Sequence, residues 1–252
     1  MDANASRRIA ALACEGAPAG PRVVEIGAGT GTLTCALLEA GAHVTALEID
    51  PALVTILHNR GDLAQATIVA ADALTYDYTA CARNGPWRVA GNLPYNIATP
   101  LLVHLIEMDH GPDVIVAMIQ KDVADRLVAK PGTAAYGSLS VAVQYAMQVE
   151  RAFTLGPRAF YPPPKVDSTV VRLERRDAPA VRPRDLDLFR KVVRGAFAYR
   201  RKTLANSLAL ALHIDRDVIA SAIAQSGLPP ESRGEQLDLQ AFCRLADNLA
   251  ER

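Results

Sequence analysis

The stretch Val23-Val24-Glu25-Ile26-Gly27-Ala28-Gly29-Thr30-Gly31-Thr32-Leu33-Thr34 passes from a short apolar run into three closely spaced glycines. Val23–Ile26 reads as a buried strand. Gly27, Gly29 and Gly31 permit positive φ and let the main chain approach a ligand closely. Residues 30–40 then read as a helix, so the glycines lie at a strand-to-helix turn. His43–Glu48 alternates into a second strand that closes on an acid, Glu48, 21 residues beyond Gly27. A carboxylate at that place is suited to hold the two ribose hydroxyls of a nucleoside cofactor.

The same alternation continues outward. Upstream, residues 5–14 read as a helix. Downstream, Pro51–Arg60 reads as a helix, Thr67–Ala70 as a third strand and Arg88–Ala90 as a fourth. Thr99 followed by Pro100 reads as a helix cap with proline in first position, opening a helix over 100–107. Val114–Ile119 is a fifth strand. Strands alternating with helices predict an α/β architecture: a Rossmann-like parallel sheet with crossover helices. After about residue 155 the pattern changes. Pro157 and Pro162–Pro164 interrupt regular structure, Ser168–Leu173 reads as a strand, and helices follow over roughly 185–198, 201–211, 215–226 and 238–250. The expected organisation is a catalytic domain over 1–180 and a small all-helical domain over 181–252.

Half of the 252 residues are hydrophobic, enough for a sizeable core. No apolar run reaches the length of a membrane span, and the polar start is unlike a signal peptide. Cys14, Cys35, Cys81 and Cys243 form no CxxC pair, so neither a metal site nor a disulfide framework is expected, and a reducing cytoplasm suits the chain. Net charge is zero but unevenly spread: residues 1–150 carry 9 Lys and Arg against 15 Asp and Glu, residues 151–252 carry 18 against 12. A basic C-terminal part is the electrostatic footprint of a polyanion binder; a solvated mixed-charge surface is the plainer account.

The glycine loop narrows the cofactor. A dinucleotide fingerprint needs glycine where Thr32 stands, and no lysine occupies the P-loop position. Three alternating glycines after an acidic strand residue are similar to the first motif of S-adenosylmethionine enzymes. Glu25, Gly27, Gly29, Gly31, Glu48 and Ile49 are therefore candidate cofactor contacts. Asp72 and Ala73, at the end of the third strand, are candidates for the cofactor's adenine, because ligands in such sheets lie outside the carboxyl ends of the strands.

Asn92-Leu93-Pro94-Tyr95 ends the fourth strand and offers the chemistry of an exocyclic amine. The adenine amine is a poor nucleophile, its lone pair being delocalised into the ring. Acceptors around its two hydrogens, such as the Asn92 side-chain oxygen and the Leu93 carbonyl, favour the geometry in which that pair is localised. Pro94 fixes φ and stiffens the turn. Tyr95 offers a stacking face for a flipped base, worth roughly 1–3 kcal/mol. A sulfonium donor is already activated, so catalysis rests on position and electrostatics rather than on a strong base.

Together these landmarks resemble the ribosomal RNA adenine N6-dimethyltransferase family, and within it the bacterial enzymes acting near the 3′ end of small-subunit rRNA. The likeness spans nearly the whole chain: VVEIGAGTGTLT (23–34), LEID (47–50), GNLPYNIATPLL (91–102), QKDVADRLVAKPG (120–132), YGSLSVAVQY (136–145), AFYPPPKVDSTVVRL (159–173) and AFAYRRKTLANSL (196–208). The last two are the specific ones. The resemblance implies S-adenosyl-L-methionine as cofactor, contacted by Gly27, Glu48, Asp72 and Asn92. It gives Asn92 and Tyr95 the target base, and Phe160 the base's opposite face. Two aromatic plates would offset the unstacking of a flipped base. It further implies N6,N6-dimethylation of two adjacent adenosines, with small-subunit rRNA in the assembling 30S subunit as partner and a monomeric enzyme. Family members carry a Gly-Gln-Asn/His-Phe-Leu segment ahead of the residue matching Asp2, closing over the cofactor's methionine end. This sequence begins at Met1-Asp2 without it, and restoring it is expected to tighten cofactor binding.

Arg190, Lys191 and Arg194 on one helix, with Arg200, Arg201 and Lys202 at the following turn or helix start, are candidate phosphate contacts. Three rivals stand beside the main reading: a large-subunit rRNA methyltransferase, a non-catalytic assembly factor on a methyltransferase fold, and a small-molecule methyltransferase. The last leaves the basic C-terminal part unexplained.

Overall fold

The computed structural model describes residues 3–17, 20–159 and 165–251. Helix α1 (Ala3–Cys14) precedes β1 (Arg22–Ile26), α2 (Thr32–Glu39), β2 (His43–Glu48), α3 (Pro51–His58), β3 (Thr67–Ala70), α4 (Thr79–Arg83), β4 (Arg88–Asn92), α5 (Ala98–Glu107) and β5 (Val114–Gln120). There follow α6 (Lys121–Leu127), α7 (Ser138–Ala146), β6 (Met147–Leu155), β7 (Ser168–Arg175), α8 (Leu186–Ala198), α9 (Leu204–Leu212), α10 (Arg216–Gln225) and α11 (Leu239–Ala250).

The strands form one sheet in the order β3-β2-β1-β4-β5-β7-β6. The pairs joining β1 to β5 are parallel, as the alternation predicts, and β7 runs antiparallel to β5. The apolar run Val114–Ile119 is buried throughout, as a central strand covered on both faces requires. Strand order reverses between β1 and β4, which opens a crevice beyond their carboxyl ends.

Two compact units result. One comprises Met1–Ala124 with Gln148–Arg175, the other Asp125–Met147 with Arg176–Arg252. A single cut near residue 180 leaves Asp125–Met147 with the sheet, whereas its contacts lie with the C-terminal helices. Within the second unit the Tyr136 hydroxyl donates to Leu237 O at 2.8 Å and Gly132 N–H donates to Glu235 O at 2.7 Å. That unit's core gathers Phe189, Val192, Leu204, Leu208, Phe242 and Leu245.

Several element ends differ from the sequence expectation. Helix α5 starts at Ala98, capped at Ile97, not at a Thr99 cap. Pro94 O accepts the N–H groups of Ile97 and Ala98 at 3.1 and 3.0 Å, which starts the turn early. Pro100 is tolerated because first-turn N–H groups have no intrahelical partner to lose. Helix α2 begins at Thr32 because Gly31, at φ 84°, is left-handed. Strand β4 continues to Asn92, so the tetrapeptide starts within the sheet. Arg200–Lys202 lie in the turn before α9. Helices α4, α6 and α7 and strand β6 were not foreseen.

Candidate active site

The register of β1 on β4 pairs Ile26 with Gly91, so the glycine loop and the tetrapeptide leave the sheet side by side. A Cβ built on Gly27 would meet Asn92 O at 3.8 Å and Pro94 Cδ at 3.9 Å. Gly91 makes this closeness possible: a Cβ there would come within 2.7 Å of Ile26 O. The sequence signal for Gly91 was present, since a glycine inside a strand marks close backbone approach.

Gly27, Gly29 and Gly31 all take positive φ, at 70°, 59° and 84°. The loop is tied to the end of β2. Gly27 and Ala28 donate to Leu47 O at 2.9 and 3.2 Å. The Glu48 carboxylate accepts Gly29 N–H on Oε2 at 2.8 Å, and Ile49 and Asp50 N–H on Oε1 at 2.9 and 3.0 Å. A carboxylate has about four acceptor sites, so one remains for a hydroxyl after these three bonds. Glu48 is buried, so its first task is to hold the loop. Arg60 contributes a brace that sequence reasoning missed: its guanidinium donates to Thr30 O at 2.6 Å and pairs with Asp62.

The remaining cofactor candidates fall on the same strand ends. Ile49, beside Glu48, is 65 % exposed, an apolar side chain presented outward. Asp72 Oδ1 accepts Leu74 N–H at 2.9 Å, which orients its carboxylate just past β3, and Ala73 next to it is buried. Glu25 lies beneath the loop, 1 % exposed, its Oε2 without a hydrogen-bond partner among the described residues. Burial pushes its carboxyl up to about 8; Thr34 draws it back and the Glu48 charge adds to the rise. An apolar side chain presented outward, oriented carboxylates and a glycine turn at the strand ends suit a nucleoside.

In the tetrapeptide Asn92 and Pro94 are exposed, while Leu93 is buried and donates its N–H to Met118 O at 3.0 Å. Tyr95 is 38 % exposed. Its hydroxyl and the buried Ser168 hydroxyl are 3.0 Å apart. Ser168 opens β7 opposite Gln120, so the long-range β5–β7 pairing delivers it to Tyr95. Sequence reasoning missed Ser168, and no local pattern signals it. Phe160 lies outside the described residues. Among the described residues no group of three or more His, Cys, Asp or Glu side chains could hold a metal ion, and no helix is long and apolar enough to cross a membrane.

The basic candidates belong to the second unit. Lys191, Arg194, Arg200, Arg201 and Lys202 are exposed. Arg190 is half-buried and pairs with Asp187 at 3.6 Å, so part of its charge is already answered. The Arg200 guanidinium donates to Ala134 O at 3.1 Å.

Comparison with known proteins bears on the family and the fold. The chain is 45 % identical over 236 residues to the ribosomal RNA small subunit methyltransferase A of Pseudomonas aeruginosa, covering 92 % of this chain and 85 % of that protein. It is 43 % identical over 234 residues to the protein of the same name from Lactococcus lactis, covering 90 % and 80 %. Among solved structures, the 23S rRNA methyltransferase ErmE superposes with a TM-score of 0.72 at 25 % identity, over 99 % of this chain and 98 % of that one. A dimethyladenosine transferase from Plasmodium falciparum shares the fold, with a TM-score of 0.73 at 24 % identity over 95 % and 93 %. The family model described as ribosomal RNA adenine dimethylase matches residues 17–251, and with a sheet that brings a glycine loop against Asn92-Leu93-Pro94-Tyr95, the chain belongs to that family.

Proposed function

We propose that this protein dimethylates N6 of two adjacent adenosines in the 3′-terminal hairpin of small-subunit rRNA, with S-adenosylmethionine as methyl donor. The observation that carries the reading is the contact of the Gly27 turn with Asn92 and Pro94 at the ends of adjacent strands. That closeness supports reading the glycine turn as the cofactor loop and the Asn92 turn as the amine-binding loop of one crevice.

S-adenosylmethionine supplies an electrophilic methyl group on a sulfonium. Glu48 offers its remaining acceptor capacity to the ribose, Ile49 an apolar wall to the adenine, and Asp72 a carboxylate to the adenine edge. Glu25 supplies a buried acid beneath the cationic methionine end. Asn92 and the Leu93 carbonyl accept hydrogen bonds from the target amine, and Tyr95 stacks on the target base. Phe160 is the second plate in this reading. No residue need act as a strong base, because the methylated amine carries a positive charge and loses its proton readily.

The small subunit is favoured as substrate because the relatives named for it stand at 43–45 % identity, against 25 % for the 23S enzyme. The exposed cations of the second unit supply phosphate contacts. The protein then acts as a monomer on assembling 30S subunits in the cytoplasm. The test is methyl transfer from labelled donor to small subunits lacking the modification, for wild type and Asn92→Ala. Labelled N6,N6-dimethyladenosine in the small-subunit rRNA is expected, with the variant slowed roughly 100-fold or more. Full activity of Asn92→Ala would overturn the mechanism, and labelling of large-subunit rRNA alone would overturn the substrate.

A further inference from the structure

Tyr199 is 44 % exposed in the turn joining α8 to α9, immediately before Arg200-Arg201-Lys202. The charged residues around it in sequence are all basic. Residues 188–214 hold Arg190, Lys191, Arg194, Arg200, Arg201 and Lys202, and no Asp or Glu.

The turn is braced from within. Tyr199 N–H donates to Ser207 Oγ at 3.3 Å, and that buried hydroxyl donates to Gly195 O at 2.7 Å. Lys202 N–H returns to Tyr199 O at 2.9 Å. Arg200 anchors the turn through its bond to Ala134 O. These bonds fix the main chain and leave the aromatic ring exposed, with Arg201 and Lys202 exposed on its C-terminal side. A phosphate-binding turn needs cations and no aromatic. An unpaired base presents a π face, and stacking on a ring held by a stiff turn loses little conformational entropy.

We propose that Tyr199 is a stacking platform for an unpaired base of the RNA, held in register by the phosphate contacts of Arg201 and Lys202. This rests on the reading of the protein as an rRNA methyltransferase, and it places a base contact in the helical unit, apart from the target adenosine. Such a contact adds affinity with little dependence on base identity.

The test measures binding of unmodified small subunits to wild type, Tyr199→Phe and Tyr199→Ala across a range of salt, with melting temperatures to establish folding. Tyr199→Ala is expected to bind roughly tenfold more weakly with an unchanged salt slope, because no phosphate contact is lost. Tyr199→Phe should bind as wild type does. Tyr199→Trp provides an optical signature against the single buried Trp87: its fluorescence should be quenched as subunits are added. Wild-type affinity for folded Tyr199→Ala, or an unquenched Tyr199→Trp, overturns the proposal while leaving the methyltransferase reading intact. Loss of self-association in place of RNA affinity assigns the turn to a second copy of the chain and overturns it equally. A wild-type protein that neither binds nor methylates subunits overturns the functional reading and this inference with it.

Discussion

The hydroxyls of Tyr95 and Ser168 lie 3.0 Å apart, joining the end of β4 to the start of β7 across 73 residues of sequence. Ser168 is buried while the Tyr95 ring is partly exposed, so one end of the ring is fixed and its face remains available. Removing either hydroxyl should cost about 1 kcal/mol of stability and lower turnover severalfold through a loosened ring. Ser168→Ala and Tyr95→Phe should have non-additive effects on turnover in a double-mutant cycle. Strict additivity would show that the two hydroxyls act separately.

Gly91 sets how near β1 and β4 approach. A methyl group there would sit 2.7 Å from Ile26 O and 3.2 Å from Leu93 Cδ2, and the first of these is main chain that cannot swing aside. Gly91→Ala is expected to destabilise the fold by about 1–3 kcal/mol, read as a lowered urea midpoint. Cofactor affinity should fall with it, because the same pairing holds Gly27 against Asn92. An alanine variant with wild-type stability and affinity would refute this account of the glycine.

Glu48 uses both carboxylate oxygens on backbone N–H groups. Glu48→Gln places an amide donor where one set of those N–H groups points. Hydrogen bonds to a charged group contribute about 1.5–3 kcal/mol each, so cofactor affinity should drop by roughly 10- to 100-fold. Calorimetry would read the change directly. A loss that disappears with cofactors lacking the ribose hydroxyls would mean that Glu48 serves the ligand and not the loop.

Much of this region is legible in sequence because it is local. The glycines announce their own conformation, and Glu48 follows at the expected distance. The partners of these groups are less visible. That Glu48 would accept Gly29 N–H depends on how β1 and β2 lie together. Ser168 reaches Tyr95 only because β7 turns antiparallel beside β5. The apolar, partly β-branched run of α7, Ser-Leu-Ser-Val-Ala-Val-Gln-Tyr-Ala, reads as strand or helix with equal ease, and its packing decides. Helices α8 to α11 were readable to within a few residues. Three of them start beside an aspartate whose carboxylate caps the first turn: Asp185, Asp215 and Asp238.

Glu25 predicts a pH dependence of stability. Its carboxyl titrates near 8 when folded, against 4.5 ordinarily. Between these values the folded chain keeps a proton that the unfolded chain has lost. Stability therefore falls as pH rises through the window, by up to about 1.4 kcal/mol per pH unit from this group, and the loss is complete above the folded value. Glu25→Gln preserves the neutral shape and should flatten that slope in denaturant titrations. A variant whose stability declines as steeply as the wild type's would remove Glu25 as the source.

Salt should separate the basic side chains. Arg201→Ala and Lys202→Ala should each lower the log–log slope of subunit binding by about one. Arg190→Ala should change it less, since Asp187 already answers part of that charge. Equal slopes for all three variants and wild type would place the RNA elsewhere.

The chain crosses between its two units three times, at residues 124/125, 147/148 and 175/176. Neither unit is therefore a continuous segment that a truncation could isolate. Expressing residues 1–124 alone would yield a sheet whose central strand β5 lacks its neighbour β7, with a bare edge prone to aggregation. During synthesis β5 must wait until β7 emerges before its second edge is covered. Gene fusions and domain swaps made at a single cut would divide one unit or the other, and only a two-segment graft respects the way the protein is built.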